Sequence, residues 1–176
     1  MSFDTNSVLV LIDIQQAYSD VVDLENFQNN TKRLLQKARK NGIPVIHVHE
    51  IDDLKKSKWL SFWKEMKGDR THDIGIPMDC AKPRIGEDRI IKHGYDAFYQ
   101  TTLENVLRQR FTSNAKQTIY FAGLLTGVCV LNTIMSAFNR GYRVYLVENC
   151  CSDRLKTRHN MTLQYYQNYL FRKVIF

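Results

Sequence analysis

The chain has 176 residues and a formal net charge of +7, and 44% of its residues are hydrophobic and 24% charged. This length and composition are typical of one globular domain, residues 1–176, and exclude a chain too polar to fold or one that depends on disulfides. The sequence has neither a signal-peptide pattern nor a run of about 20 apolar residues, so a cytoplasmic protein without a membrane partner is expected.

Strands and helices are predicted to alternate along the chain from one end to the other. The apolar pattern predicts strands at residues 7–13, 43–49, 89–93, 118–122, 142–147 and about 171–176, and helices at about 25–41, 101–110, 128–140 and 156–168. Strands joined through helices pair in parallel by right-handed crossovers. The sequence therefore predicts an α/β fold, a three-layer sandwich in which helices cover both faces of a six-stranded parallel sheet.

One long segment, residues 50–87, lacks this periodicity and contains Trp59 and Trp63. Irregular segments of this length in compact domains often form a lid or a pocket wall. We interpret the two tryptophans as part of a substrate pocket, together with Tyr18 and Tyr95. The alternative is that these aromatic side chains simply pack onto the body of the domain.

Three reactive side chains are expected at one edge of the sheet. Asp13 ends the first strand, Lys92 lies at the end of the third, and Cys129 follows the fourth strand near the start of a helix. In open parallel sheets, ligands bind beyond the carboxyl ends of the strands. Taken singly, each residue has a structural explanation as a turn former, a solvated strand end or a buried thiol. Their joint placement predicts a catalytic site.

The three residue types suit acyl transfer to water through a thioester. The thiolate is the reactive form of cysteine, and both Lys92 and a helix N terminus would favour it at Cys129. Asp13 could take the thiol proton and later return it to a leaving amine, while backbone N–H groups of the turn stabilise the oxyanion. The expected partner is therefore a small-molecule substrate.

Three blocks of the sequence resemble the isochorismatase-like cysteine hydrolases. In the first, VLVLIDIQQAY, an apolar strand ends in Asp and is followed by Gln and an aromatic residue. In the second, KPRIGEDRIIKHGYDAFYQTTLENVLRQR, Pro and an acidic residue precede a strand that ends in Lys. In the third, GLLTGVCVLNTIMSAFNRGYRVYLVENCCSD, Gly and Thr precede the Cys. The blocks follow the order and spacing of that family and span most of the chain.

The resemblance implies roles for individual residues. Cys129 would be the nucleophile, Asp13 the general acid/base and Lys92 its electrostatic partner. The family's non-proline cis peptide would fall between Leu124 and Leu125, and the backbone N–H groups of Leu125 and Cys129 would form the oxyanion hole. The resemblance also implies the strand order 3-2-1-4-5-6 and a homo-oligomer, either a dimer or a tetramer.

No metal ion or other cofactor is expected. The nicotinamidase branch of that family binds metal through an Asp-x-His motif and a later His, whereas Asp52 and Asp53 have no His two residues further on. His47 and His49 share one face of a strand, which leaves a metal or substrate role open for them, but too few ligands have the spacing of a site. The remaining cysteines are predicted to be free thiols: Cys80, Cys150 and Cys151.

Three functions stay open at the level of the sequence. The favoured one is hydrolysis of a C–N bond in an amide, carbamoyl or ureido compound, because a vinyl-ether hydrolase would need no Cys129. The second is such an isochorismatase-type vinyl-ether hydrolase, with Asp13 as its acid. The third is a non-enzymatic binding protein. The net charge of +7 invites a nucleic-acid partner, but the basic residues are scattered and form no recognised motif, so none is expected.

Overall fold

The computed structural model describes residues 3–51, 75–114 and 116–176. Six strands form one sheet: β1 (Ser7–Ile12), β2 (Val45–Glu50), β3 (Asp88–Lys92), β4 (Thr118–Leu124), β5 (Arg143–Ser152) and β6 (Arg172–Val174). Their order is β3-β2-β1-β4-β5-β6, and every neighbouring pair is parallel. This arrangement confirms the predicted fold class and strand order.

Helices cover both faces of the sheet. They are α1 (Leu24–Lys40), α2 (Leu103–Arg110), α3 (Leu131–Asn139) and α4 (Lys156–Tyr166). The buried side chains of α1 pack with one side of β1, whereas those of α2, α3 and α4 pack with the other side. No helix in the described part of the chain is long and apolar enough to cross a membrane.

The central strands β1 and β4 are buried on both faces because helices cover both sides of the sheet there. All residues of β1 and β4 are buried. Successive side chains of a strand point to opposite faces, so Val8, Val10 and Ile12 enter one core while Leu9 and Leu11 enter the other. A covered parallel strand is therefore continuously apolar, which is the pattern that predicted β1 from the sequence.

Two features differ from the prediction at the edge of the sheet that holds the reactive residues. β5 continues to Ser152, beyond its expected end at residue 147, because a register shift lets its last residues pair with Gly123 and Leu124 of β4. Cys129, expected at the start of an α-helix, lies instead in one π-helical turn, Thr126–Val130, that leads into α3.

Gly123 allows β4 to approach β1 closely at the edge where both strands end. It pairs with Ile12, and a Cβ atom at Gly123 would lie 2.0 Å from the carbonyl oxygen of Ile12. Its φ of +136° is also a conformation that residues with a side chain rarely adopt. Only glycine fits here, and the close approach brings Asp13, which follows Ile12, near the turn that follows β4.

We expect Gly123→Ala to destabilise the fold by at least about 4 kcal/mol, because the added methyl group overlaps backbone atoms that cannot move aside. Gly141→Ala is the matched control. Gly141 also has a positive φ, +84°, but no atom lies within 4 Å of the added Cβ, so only backbone strain of about 1–2 kcal/mol is expected. Urea denaturation followed by circular dichroism measures both losses, and equal losses would contradict the steric explanation.

Candidate active site

The carboxyl ends of four neighbouring strands bring together a set of polar side chains. Asp13 follows β1, Glu50 ends β2, Lys92 ends β3, and Cys129 lies in the turn after β4. All four residues are buried. The three residues that the sequence singled out for chemistry therefore lie together, and Glu50, which it did not single out, lies with them.

The ammonium group of Lys92 is the centre of this set. Its Nζ lies 2.7 Å from Oδ2 of Asp13, 2.7 Å from the carbonyl oxygen of Gly94 and 3.6 Å from Sγ of Cys129. An ammonium group has three N–H donors, so these partners account for all of them. The side chains of Lys92 and Asp13 are 0% exposed. Lys92 thus holds the carboxylate and the thiol on either side of one buried positive charge.

Glu50 is held at the edge of the set by its backbone and by one tyrosine. The Gln15 side chain donates from Nε2 to the carbonyl oxygen of Glu50 at 3.0 Å and accepts the backbone N–H of Glu50 at 2.7 Å. The hydroxyl group of Tyr18 donates to Oε2 of Glu50, and the same oxygen lies 3.8 Å from Nζ of Lys92. Tyr18 therefore touches the site through Glu50.

Burial and the local charges change the acidity of the carboxylate and the ammonium group. Burial raises the pKa of Asp13 to about 6; Lys92 opposes this increase and Glu50 adds to it. Burial by itself lowers the pKa of Lys92, but the attraction of Asp13 and the other acidic groups outweighs it and holds this pKa above its usual value. At neutral pH Asp13 is therefore mostly ionised and Lys92 is protonated.

The thiol of Cys129 is protonated in the resting site. Burial raises its pKa well above the usual value, Lys92 lowers it, and the two carboxylates raise it again. Lys92 thus favours the thiolate, as expected from the sequence, but burial is the larger effect. A base is nonetheless close by, since one oxygen of Asp13, one of Glu50 and Sγ of Cys129 lie within 4.8 Å of one another.

The turn that carries Cys129 is held by groups from the segment after β5 and from α4. Oδ2 of Asp153 accepts the backbone N–H of Gly127 at 3.0 Å. Nδ1 of His159 lies 2.8 Å from the hydroxyl oxygen of Thr126, within hydrogen-bond distance. Two side chains distant in sequence thus hold Thr126 and Gly127, the first two residues of the turn that carries Cys129.

Two leucines directly precede the turn that carries Cys129. The peptide bond between Leu124 and Leu125 is cis. The carbonyl oxygen of Leu125 accepts the N–H groups of Val128 at 3.0 Å and Val130 at 3.3 Å. That carbonyl group is therefore directed towards the helix that follows. The oxyanion hole predicted at the N–H groups of Leu125 and Cys129 stays a prediction.

A family model supplies the first comparison with known proteins. The model of the isochorismatase domain matches residues 7–175, a range that contains the whole site. The chain belongs to the isochorismatase family. This membership confirms the resemblance seen in the three sequence blocks, and with it the prediction that the chain is a hydrolase.

Members of the family are similar to this chain over most of its length. A secreted isochorismatase effector of Verticillium dahliae is 29% identical over 154 residues, which cover 85% of this chain and 74% of that protein. A ureidoacrylate amidohydrolase of Agrobacterium fabrum is 27% identical over 176 residues, and the match covers 82% of this chain and 75% of that protein. A crystal structure of an isochorismatase-family protein from Chromobacterium violaceum has a TM-score of 0.78 at 27% identity and covers 99% of this chain and 92% of that one.

A metal ion has little room among the reactive groups of this family member. Within residues 3–51, 75–114 and 116–176, the one group of three possible ligands is Asp13, Glu50 and Cys129. The ammonium nitrogen of Lys92 already lies 2.7 Å from Asp13 and 3.6 Å from Cys129. A cation bound by the same atoms would meet that positive charge at short range, so the donor set fits a protonated lysine better than a metal ion.

The two strand histidines lie on the face of β2 that turns away from Glu50. Both are buried, and Nε2 of His47 lies 2.8 Å from Oε2 of Glu87. Burial lowers the pKa of His49 to about 4, so this ring is neutral at neutral pH. The histidines thus belong to the core under α1. The next acidic residues, Asp52 and Asp53, lie outside the described residues.

The remaining predicted pocket residues are only partly described. Tyr95 is half-buried and packs against the core cluster that contains Cys129, and its pocket role stays a prediction. Trp59 and Trp63 lie outside the described residues. The other cysteines are free thiols, as expected: Cys80, Cys150 and Cys151.

Two site residues were not found from the sequence. Glu50 ends β2 in the way that Asp13 follows β1, so the search of strand ends would have found it if the second strand had been extended by one residue. Asp153 carried no such signal, because it lies beyond the expected end of β5. Contacts between distant segments, such as Asp153 with Gly127, have no local pattern in the sequence.

We expect Lys92→Met to slow alkylation of Cys129 by iodoacetamide at about pH 8 by at least about tenfold, because loss of the ammonium group raises the thiol pKa by one unit or more. Lys82→Met is the control, since Lys82 is exposed and pairs with Asp79 at the surface. Mass spectrometry of the Cys129 peptide gives the rates, and thermal melting checks that both variants fold. An unchanged rate in folded Lys92→Met would contradict a role of Lys92 in stabilising the thiolate.

Proposed function

We propose that this member of the isochorismatase family is a cysteine hydrolase that cleaves a C–N bond in a small amide, carbamoyl or ureido compound. The observation that carries the proposal is the series of contacts from Oδ2 of Asp13 through Nζ of Lys92 to Sγ of Cys129, with distances of 2.7 and 3.6 Å. A buried thiol with a carboxylate and an ammonium group in reach is the arrangement that nucleophilic hydrolysis requires.

In the first half-reaction, the Asp13 carboxylate takes the proton of the Cys129 thiol as Sγ attacks the substrate carbonyl carbon. The backbone N–H groups of Leu125 and Cys129 stabilise the oxyanion that forms. Asp13 then gives the proton to the substrate nitrogen, the C–N bond breaks, and an amine or ammonia leaves. The acyl group stays on Sγ as a thioester.

In the second half-reaction, a water molecule attacks the thioester carbonyl carbon while Asp13 takes one of its protons. The C–S bond breaks and Asp13 returns the proton to Sγ, so that an acid product leaves and the resting thiol of Cys129 forms again. Lys92 stays protonated throughout and stabilises the transient thiolate. Because the pKa of Asp13 is about 6, this carboxylate can both accept and donate a proton near neutral pH.

The contact between Cys129 and Lys92 favours this chemistry over vinyl-ether hydrolysis. A mechanism in which Asp13 acts alone as an acid gives neither the thiol nor the ammonium group a role in bond cleavage. The similarity to a ureidoacrylate amidohydrolase also supports cleavage of a C–N bond. Two predictions from the sequence accompany this proposal: the chain forms one domain, and it assembles into a homo-oligomer.

We expect Cys129→Ala to reduce hydrolysis of every amide or ureide that the wild type accepts by at least about 10³-fold, because no other nucleophile replaces Sγ. Cys80→Ala is the matched control, since that thiol is half-buried and belongs to a different part of the fold. Ammonia release from a panel of small amides and ureides measures the rates. Full turnover by Cys129→Ala, or a wild type that hydrolyses no member of the panel, would contradict the proposal.

The pKa of Asp13 predicts the direction of the pH dependence. If Asp13 must be ionised to accept the thiol proton, kcat/KM is constant above about pH 6 and falls as the pH drops through that value. A vinyl-ether hydrolase that uses Asp13 as an acid needs the protonated form and would lose activity as the pH rises through about 6. A profile of kcat/KM between about pH 4.5 and 8 decides between the two directions.

A further inference from the structure

In the described parts of the chain, the site combines two carboxyl groups with one ammonium group. Among the residues that the structure describes, Lys92 is the one cationic side chain within 4 Å of the carboxylates of Asp13 and Glu50. Its three N–H donors are taken by Asp13, by the carbonyl oxygen of Gly94 and by Cys129. At 3.8 Å from Nζ of Lys92, Oε2 of Glu50 is beyond hydrogen-bond distance. One ammonium group therefore serves two carboxylates and is bonded to only one of them.

The Glu50 carboxylate is not required to hold the end of β2. Gln15 already fixes this residue through the backbone N–H and C=O of Glu50, at 2.7 and 3.0 Å. Within the described parts of the chain, the Tyr18 hydroxyl group is the one hydrogen-bond donor to the carboxylate. A buried carboxylate without a full counter-charge costs free energy. Such a group beside reactive side chains is a candidate for binding a ligand that supplies the missing charge.

Glu50 also lies on the open side of the site. Its side chain is 10% exposed, whereas the side chains of Asp13 and Lys92 are 0% exposed. One of its carboxylate oxygens lies within 4.8 Å of Sγ of Cys129. A substituent on the carbon next to a carbonyl group under attack by Sγ would therefore come within hydrogen-bond distance of Glu50.

We propose that Glu50 is a specificity-determining residue that selects substrates with a positively charged amino group on the carbon next to the scissile carbonyl. The inference rests on the proposed hydrolysis at Cys129 and adds the charge of the substrate to it. The substrate ammonium group donates to the Glu50 carboxylate and balances the charge of the site, whereas an anionic group in the same place is repelled. The preference is thus opposite to that expected from the chain's overall charge of +7.

Two amides of nearly equal shape test this selectivity by turnover. 2-Methylpropanamide and 2-aminopropanamide differ by a methyl group in place of an ammonium group, and the amine is mostly protonated at about pH 6.5. We expect the wild type to prefer the amino compound in kcat/KM by at least about tenfold, because its ammonium group can form a charge-assisted hydrogen bond to Glu50 that the methyl group cannot form. Glu50→Gln should lose this preference, and Glu50→Asp should keep part of it.

The matched control is Glu104→Gln, which removes a carboxylate that pairs with Arg108 of α2 and with Arg140, the residue that follows α3. This variant should keep the wild-type preference. Equal kcat/KM values for the two amides in the wild type, or an unchanged preference in folded Glu50→Gln, would overturn the role of Glu50 while leaving the hydrolysis itself intact.

Alkylation of Cys129 tests the same charge preference without any substrate turnover. The reagents are cationic 2-bromoethylamine, neutral iodoacetamide and anionic iodoacetate, and each rate is divided by the rate with the small thiol N-acetylcysteine amide. Relative to iodoacetamide, we expect Cys129 of the wild type to favour the cation and to disfavour the anion, each by about tenfold. In Glu50→Gln, the corrected rates with the cation and with the anion should each be close to the corrected rate with iodoacetamide.

The alkylation ratios separate failure of this inference from failure of the proposed function. If no amide is hydrolysed but the cation reacts preferentially at Cys129, the carboxylate selects charge and the proposed reaction is wrong. If the wild-type ratios equal those of the small thiol, Glu50 does not select charge, whatever the hydrolysis assays give. This second outcome is measured on the wild type alone, so it can be interpreted even if Glu50→Gln does not fold.

Discussion

Burying the ammonium group of Lys92 removes it from water at a cost of several kcal/mol, and the rest of the site is arranged to offset this cost. A carboxylate, a carbonyl oxygen and a thiol surround it at 2.7, 2.7 and 3.6 Å. The same contacts set the acidity of the site. Lys92 keeps the pKa of Asp13 near 6 although burial raises it, and it lowers the pKa of Cys129 without ionising the resting thiol. One interaction therefore both offsets the cost of burial and sets the acidity of the neighbouring groups.

The sheet supplies the geometry that this interaction needs. Parallel strands end at a common edge, so residues that follow β1, β2, β3 and β4 meet without any special loop. Two contacts help to position these residues. Gly123 lets β4 approach Ile12 closely, and the Gln15 side chain forms hydrogen bonds with both backbone groups of Glu50. The chemistry is thus carried by strand ends and short turns, which are more rigid supports than long loops.

The sequence predicted the fold and much of the site for a physical reason. Covered parallel strands are continuously apolar, so the polar residue that follows such a run stands out, as Asp13 does after β1, whereas Lys92 was found as the last residue of a short strand. Glu50 obeys the same rule but was missed because the predicted second strand was one residue too short. The effect of burial on the thiol pKa of Cys129 was not predicted, since the depth of burial depends on all layers at once and is not visible in a local pattern. The contact of Asp153 with the nucleophile turn was equally invisible, because it joins segments that are far apart in the sequence.

The placement of Asp13, Glu50, Lys92 and Cys129 on four different strand ends has a consequence for the kinetics of folding. Each parallel pair is joined by a crossover, and the entropy of closing these connections must be lost before the strands can pair. Pairing of β1 with β4 brings Asp13 and Cys129 together, whereas Lys92 joins them only when β2 and β3 have also entered the sheet. An intermediate that lacks β2 or β3 therefore does not have all four side chains of the site. During refolding, the recovery of activity consequently reports the assembly of the four neighbouring strands β3, β2, β1 and β4.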